Sequence, residues 1–198
     1  MSAFTWPPDS DLAAAVARAR PPGDPVAAAV LAPLYLVGAA REPHLVLTRR
    51  RSDLRRHAGE ISFPGGRRDP GDPDLAATAL REAEEEIGLP RAEVTLLGEL
   101  PEVPTFATGY VIHPYVGAIP EGIAWQVSPR EVDQVLELSL ADVRAGRTRT
   151  QMERRGFTFE TDAYIVGEHL IWGATARIIE LLLDRLAPIG ADAGLALA

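Results

Sequence analysis

REAEEEIGL, residues 81–89, places four glutamates within five consecutive positions, Glu82 and Glu84 to Glu86. On an α-helix, residues three and four apart share a face, so Glu82, Glu85 and Glu86 project together while Glu84 points elsewhere. Like charges at that spacing destabilise an isolated helix by roughly a few tenths of a kcal/mol per pair, so the cluster calls for a counter-charge. A hard divalent cation supplies one. Carboxylate oxygens suit Mg2+ or Mn2+, and Mg2+ commonly shares its coordination shell with substrate phosphates. A charge run taken alone is more often a solvated face, so the neighbourhood has to decide.

That neighbourhood favours a site. Arg81 reaches Glu85 at the i to i+4 spacing and can orient the carboxylate as well as balance it. Upstream lies SFPGGRRDPGDPD, residues 62–74, where Gly65 and Gly66 allow backbone conformations that other residues resist and bring chain amides close to a ligand or metal. Asp72 offers a helix cap, Pro73 suits the first helical position, and Gly88 with Pro90 supplies the stop.

Composition narrows the chemistry further. The 198 residues, 46% of them hydrophobic, suit one globular domain. Cysteine is absent, which removes disulfides, thiolate nucleophiles and cysteine metal ligands. Lysine is absent too, so Schiff-base chemistry and a P-loop lysine are excluded. The net charge of −8 argues against a nucleic-acid partner, because that binding depends on a broad cationic surface. Locally the sign inverts: Arg49, Arg50, Arg51, Arg55, Arg56, Arg67 and Arg68 are opposed only by Asp53 and Glu60. The longest apolar stretch, Ala27 to Ala40, is broken by Pro33 and Gly38 and falls short of the roughly 20 residues a spanning helix needs. No membrane association and a cytoplasmic location are therefore expected, since MSAFTWPPDSD does not read as a secretory leader. Either a monomer or a homodimer fits the composition.

Along the chain, Asp9 to Arg20 has helical composition and PPGDP at 21–25 ends it. Val26 to Val37 and Leu45 to Arg49 read as a hairpin across the turn from Gly38 to Pro43. Further strands are expected at Val94–Leu100, Val111–Ile119, Val135–Leu138 and Phe157–Val166, and a helix at Leu170–Leu186. Strands mixed with a few helices imply an α/β fold of the α+β type, with a mixed sheet between helical layers. One domain over 1–198 is expected, with an N-terminal helix or arm at 1–25 and a loose tail at 188–198.

The order of turn, loop, capped helix and REAEEEIGL resembles the signature of the Nudix hydrolases. The second half of that signature matches throughout, from Arg81 to Leu89. The first half departs: counted from Gly66 with five residues between, Asp72 stands where the family has glutamate, and eight residues instead of seven then precede Arg81. The resemblance implies an α/β/α sandwich with a mixed central β-sheet. It also implies Mg2+ or Mn2+ held by Glu82 and Glu86 with Glu85 as a further ligand, and catalytic work by Arg81 and Glu85. The base varies within the superfamily. Glu131 in SPREVDQV is a candidate for it, with an ordinary surface acid at a helix start as the competing reading.

Upstream, LTRRRSDLRRHAGEISFPGG at 47–66 resembles the extra motif of the coenzyme A pyrophosphatase subgroup, with Arg51 where a small residue is usual. TGYVIHPYVG at 108–117 and EHLIWGATARIIELLL at 168–183 resemble the same subgroup. By this likeness the substrate is coenzyme A, cut to 3',5'-ADP and 4'-phosphopantetheine. The substrate-binding residues are then Arg55, Arg56, His57, Gly65 and Gly66, since guanidinium groups grip phosphate bidentately. Strand alternation must turn some of Arg49, Arg50 and Arg51 outward. His44, His113 and His169 read as ordinary strand-end or cap residues; Trp172 reads as core, and stacking on adenine by Phe106 or Tyr110 is the less common use of such aromatics. Two rivals stand beside this reading: hydrolysis of another nucleoside diphosphate derivative such as ADP-ribose, and a nucleotide-binding Nudix module without catalysis.

Overall fold

The strand that organises the molecule can be read from three residues: Leu45, Val46 and Leu47 are all fully buried although successive side chains leave a strand on opposite faces. Both faces of this strand must therefore be covered. In the computed structural model, which describes residues 25–53, 59–105, 109–154 and 157–193, they are. β1 (Val26–Val37) and β2 (Glu42–Arg50) pair antiparallel as the expected hairpin, with Leu34 opposite Leu45.

The main sheet runs β3 (Ile61–Ser62), β2, β1, β7 (Tyr110–Ala118), β5 (Thr95–Glu99). β4 (Gly65–Arg67) adds to β1, β6 (Val103–Pro104) to β7, and β8 (Val132–Ser139) to β2. The β1–β7 pairing is parallel and the others are antiparallel, so the sheet is mixed.

α1 (Leu75–Ile87) covers one face, burying Ala79, Ala83 and Ile87 with Ala29, Leu31 and Val46. The opposite face, with Leu45 and Leu47, packs with α2 (Leu140–Ala145) and α3 (Gly173–Ala193) through Val143, Ile178, Ile179 and Leu182. The α/β/α sandwich of the α+β class is thus the observed architecture. A second antiparallel sheet, β9 (Arg147–Arg154), β10 (Phe157–Val166) and β11 (His169–Trp172), lies on the α3 side.

Three expectations change. Residues 170–186 are not one helix: β11 ends at Trp172 and α3 starts at Gly173. α3 continues to Ala193, so much of the expected loose tail is helical. The cap of α1 is Asp74, whose side chain accepts from the Ala77 amide at 2.8 Å; Asp72 and Pro73 lie in the preceding loop. The stop is as expected, Gly88 taking the left-handed conformation at φ 68° with its N–H on the Ala83 and Glu84 carbonyls. The expected helix at Asp9–Arg20 lies outside the described residues.

Replacing the cap isolates its contribution. Asp74→Ala should lower the unfolding free energy by about 1 kcal/mol, read as a shift of the urea midpoint at unchanged m-value. An unshifted midpoint would show that water replaces the cap at no cost.

Candidate active site

β4 is squeezed between β1 and α1, and at Gly65 only glycine fits. A Cβ on Gly65 would stand 2.4 Å from the Ala29 carbonyl oxygen, and one on Gly66 would stand 2.5 Å from the Glu82 carboxyl carbon. The missing side chains let the backbone touch the glutamates: the Gly65 amide donates to Glu86 Oε2 at 3.2 Å. Gly65 and Gly66 thus stand at the cluster that the sequence assigned them to.

The three glutamates share one side of α1 but not one environment. Glu86 is buried at 4% exposure, the Glu82 side chain is 17% exposed and that of Glu85 59%. Burial pushes the Glu86 carboxyl up to about 8; the Arg50 guanidinium and the Gly65 amide pull it down, while Glu82 and Glu131 push it up. Burial also raises Glu82, against the opposing pull of Arg81.

Arg81 is the hub of the surrounding polar network. Its Nη1 lies 2.8 Å from Glu82 Oε1 and 3.0 Å from Glu85 Oε2. Its Nε donates to Asp72 Oδ1 at 3.0 Å, and its Nη2 to Asp72 Oδ2 and the Arg67 carbonyl, each at 3.1 Å. Asp72 also accepts from Thr78 Oγ1 at 2.9 Å and from the Asp69 amide at 3.0 Å, and the Arg81 guanidinium holds its carboxyl well below the usual carboxylate range. The acid at the variant position of the signature therefore anchors Arg81 and does not cap the helix. Arg81 in turn ties the loop to Glu82 and Glu85.

Divalent metal fits this donor set, because the available atoms are carboxylate oxygens and one of them is buried. Among the described residues no three acid or histidine side chains already form a metal cage. Guanidinium groups stand in the way: Arg81 bridges Glu82 and Glu85, and Arg50 Nη1 faces Glu86 Oε1 at 3.6 Å. A cation at Glu86 and Glu82 would offset the desolvation that raises both carboxyls.

Glu131 joins the cluster from another element. It sits in the turn before β8, not at a helix start, with its Oε2 3.9 Å from Arg50 Nη2 and its carbonyl accepting from the Arg51 amide at 3.1 Å. The three consecutive arginines separate as the strand pleat demands. Arg50 faces the glutamates, Arg49 donates to Gln134 at 2.7 Å, and Arg51 pairs with Asp53 at 2.8 Å. Arg50 is the site residue that sequence reasoning left unassigned. Counting alternation from Leu45, Val46 and Leu47 would have placed it on the α1 face. Arg55, Arg56, His57 and Phe106 lie outside the described residues.

A cleft of about 320 Å³ opens on Arg49's side of β2, away from the glutamates, lined by Arg49, Glu60, Ile61, Glu168, His169 and Trp172. Trp172 is therefore half-buried at a cleft wall, its ring 6.4 Å from that of Phe159, and not in the core. His44 packs on Tyr35, and His113 pairs with Glu99.

Residues 27–159 match the NUDIX domain. An uncharacterized Nudix hydrolase, NudL, of Photorhabdus laumondii is 40% identical over 161 residues, which cover 80% of this chain and 84% of the relative. Its namesake from Cronobacter sakazakii is 41% identical over 157 residues, covering 78% and 80%. Among solved structures, a C. elegans Ap4A hydrolase in a binary complex superposes with a TM-score of 0.55 at 16% identity, covering 82% of this chain and 98% of that one. The NUDIX domain of Shewanella oneidensis NrtR, complexed with ADP ribose, gives 0.54 at 16%, covering 89% and 99%. At such identities these likenesses bear on the fold alone.

The buried carboxyl makes metal-free stability depend on pH. Glu86 binds its proton more tightly folded, at about 8, than unfolded, near 4.5. Between those values the folded chain carries more protons than the unfolded one. The contribution is complete below about 4.5 and is lost as pH rises to about 8, at up to about 1.4 kcal/mol per pH unit from this group. Glu82 shifts in the same sense and adds to the slope, whereas Asp72 stabilises above the ordinary carboxylate range and loses that contribution only on strong acidification. Denaturation in chelator across this window should show the fall, and Glu86→Gln should flatten it. An equal slope in wild type and variant would refute the assignment.

Proposed function

This chain belongs to the Nudix family, and from that premise we propose that it hydrolyses the diphosphate bond of coenzyme A or its derivatives, giving 3',5'-ADP and 4'-phosphopantetheine. Membership makes it a Nudix hydrolase of nucleoside diphosphate derivatives; the choice of coenzyme A is the finer step. The observation that carries the reading is the juxtaposition of a partly buried glutamate set on α1 with Arg50, which the end of β2 turns toward it. One binds the cation and the other suits the phosphates.

Bound at Glu82 and Glu86, with Glu85 as a further ligand, Mg2+ or Mn2+ supplies charge neutralisation for the diphosphate and a lowered pKa for water. The chain's own residues divide the remaining work. Arg81 holds Glu82 and Glu85 on the open side of the helix and, through Asp72, fixes the loop that carries Gly65 and Gly66. The Gly65 amide fixes Glu86. Glu131, half exposed and facing the cluster through Arg50, is the base proposed to take a proton from the attacking water. Water adds to one phosphorus, the bridging P–O bond breaks, and each product leaves with one phosphate of the diphosphate.

Support for coenzyme A over other diphosphates comes from residues 47–66. That segment resembles the subgroup's extra motif and ends in the two glycines packed on the glutamates. Coenzyme A carries a 3'-phosphate beside its diphosphate, so Arg55, Arg56 and His57 are proposed to bind it.

Incubation with Mg2+ or Mn2+ and a panel of coenzyme A, ADP-ribose, NADH and dinucleoside polyphosphates, with products identified, tests this. The expected products are 3',5'-ADP and 4'-phosphopantetheine. A strong preference for ADP-ribose would overturn the substrate, and absence of turnover on every compound would favour a binding module. Glu86→Gln should abolish turnover while leaving the circular dichroism spectrum unchanged; full activity in that variant would sink the metal-site assignment.

A further inference from the structure

Among the described residues two arginines face the glutamate cluster, and their hydrogen-bonding states differ. Arg81 is saturated, with Asp72, Glu82, Glu85 and the Arg67 carbonyl all within 2.8–3.1 Å of its guanidinium. Arg50 is held only loosely. Its Nη1 stands 3.6 Å from Glu86 and its Nη2 3.9 Å from Glu131, distances of ion pairing beyond hydrogen bonding. Its Nε is buried and has no hydrogen-bond partner among the described residues.

A guanidinium has five N–H donors in a fixed fork, and a buried donor without a partner in a native fold needs an explanation. Strand geometry supplies part of it. Alternation along β2 turns Arg50 to the α1 face, and the pairing with β8 shifts register beside it, with Asp133 of β8 as the extra residue. Arg50 stays paired opposite Val132 and points between the buried carboxylate and Glu131.

We propose that Arg50 binds the substrate diphosphate, its open N–H donors pairing with the diphosphate oxygens. The inference rests on the diphosphate-hydrolase reading but not on the choice of coenzyme A. Glu86 and Glu131 orient the guanidinium at long range without occupying its donors, so an incoming anion meets a cation that is already aimed. Phosphate oxygens approach a guanidinium closely and in pairs, which neither carboxylate does here. Arg50 also lets an anionic substrate enter a site already lined with carboxylates, because its positive charge lies between the two.

Binding of methylenediphosphonate, a diphosphate that cannot be hydrolysed, tests the assignment by calorimetry at saturating Mg2+. Arg50→Met should bind it at least about tenfold more weakly than wild type, as expected for loss of a charge-assisted contact. Arg50→Lys keeps the charge but loses the fork, so it should fall in between. Arg49→Met, altered on the opposite side of the strand, should stay within about twofold. Mn2+ affinity without diphosphonate, read by electron paramagnetic resonance, should fall less in Arg50→Met than diphosphonate affinity does, because the guanidinium beside Glu86 repels the cation as well as steadying the carboxylate.

Unchanged diphosphonate affinity in Arg50→Met overturns the proposal, as does an equal loss in Arg49→Met. A parallel loss of Mn2+ affinity also overturns it, since Arg50 would then act by shaping the metal carboxylates. Should Arg50→Met fail to fold, Arg50→Lys carries the test, and unchanged affinity there is equally fatal. A wild-type protein that binds Mn2+ but no diphosphonate refutes the diphosphate-hydrolase reading itself.

Discussion

A carboxylate buried at the seam between sheet and helix sets the terms for everything around it. Glu86 lies at 4% exposure, where an unpaired ion would cost on the order of several kcal/mol after relaxation. The local structure answers that cost with a backbone amide from Gly65 and a guanidinium from Arg50. The amide is available only because β4 lies against α1, and Gly65 has no room there for a Cβ beside the Ala29 carbonyl.

The same constraint explains why two arginines near one cluster serve different ends. Arg81 is spent on structure: it ties Asp72, Glu82, Glu85 and the Arg67 carbonyl together, and Asp72 is tied in turn to Thr78 and the Asp69 amide. Such a closed network fixes the loop before α1 in one conformation. Arg50 is left partly unsatisfied, which costs stability but leaves a charge to work with. Local sacrifice of stability at a site that the rest of the fold supports is a common pattern in enzymes.

The support comes from a sheet buried on both faces. Leu45 and Leu47 pack toward α2 and α3, Val46 toward α1, and the end of the same strand carries Arg49 and Arg50 to opposite sides. A rigid strand thus delivers one cation to the carboxylates and another to the separate cleft beside Trp172. The packing of α1 fixes the glutamates to the same frame, so carboxylates and guanidinium keep their relative positions without a dedicated hinge.

By itself the sequence determined the local features. Glu82, Glu85 and Glu86 share a helix face because of helical periodicity, Gly88 stops the helix, and the β1–β2 hairpin follows from apolar runs around a turn. It also pointed to the metal chemistry through the residue types in REAEEEIGL and the glycines before it. Tertiary structure decided what depends on distant partners. Asp72 reads as a cap from its neighbours, yet it binds Arg81, nine residues on, and Asp74 caps instead. β9, with its polar sequence RTRTQMER, has little apolar alternation to announce it and exists through pairing with β10. Glu131 reaches the glutamates from a turn far along the chain, and Arg50 was distinguishable from its two arginine neighbours only once β2 had a buried face on each side. Periodicity and capping are properties of a segment, whereas burial and charge pairing are properties of what the fold brings beside it.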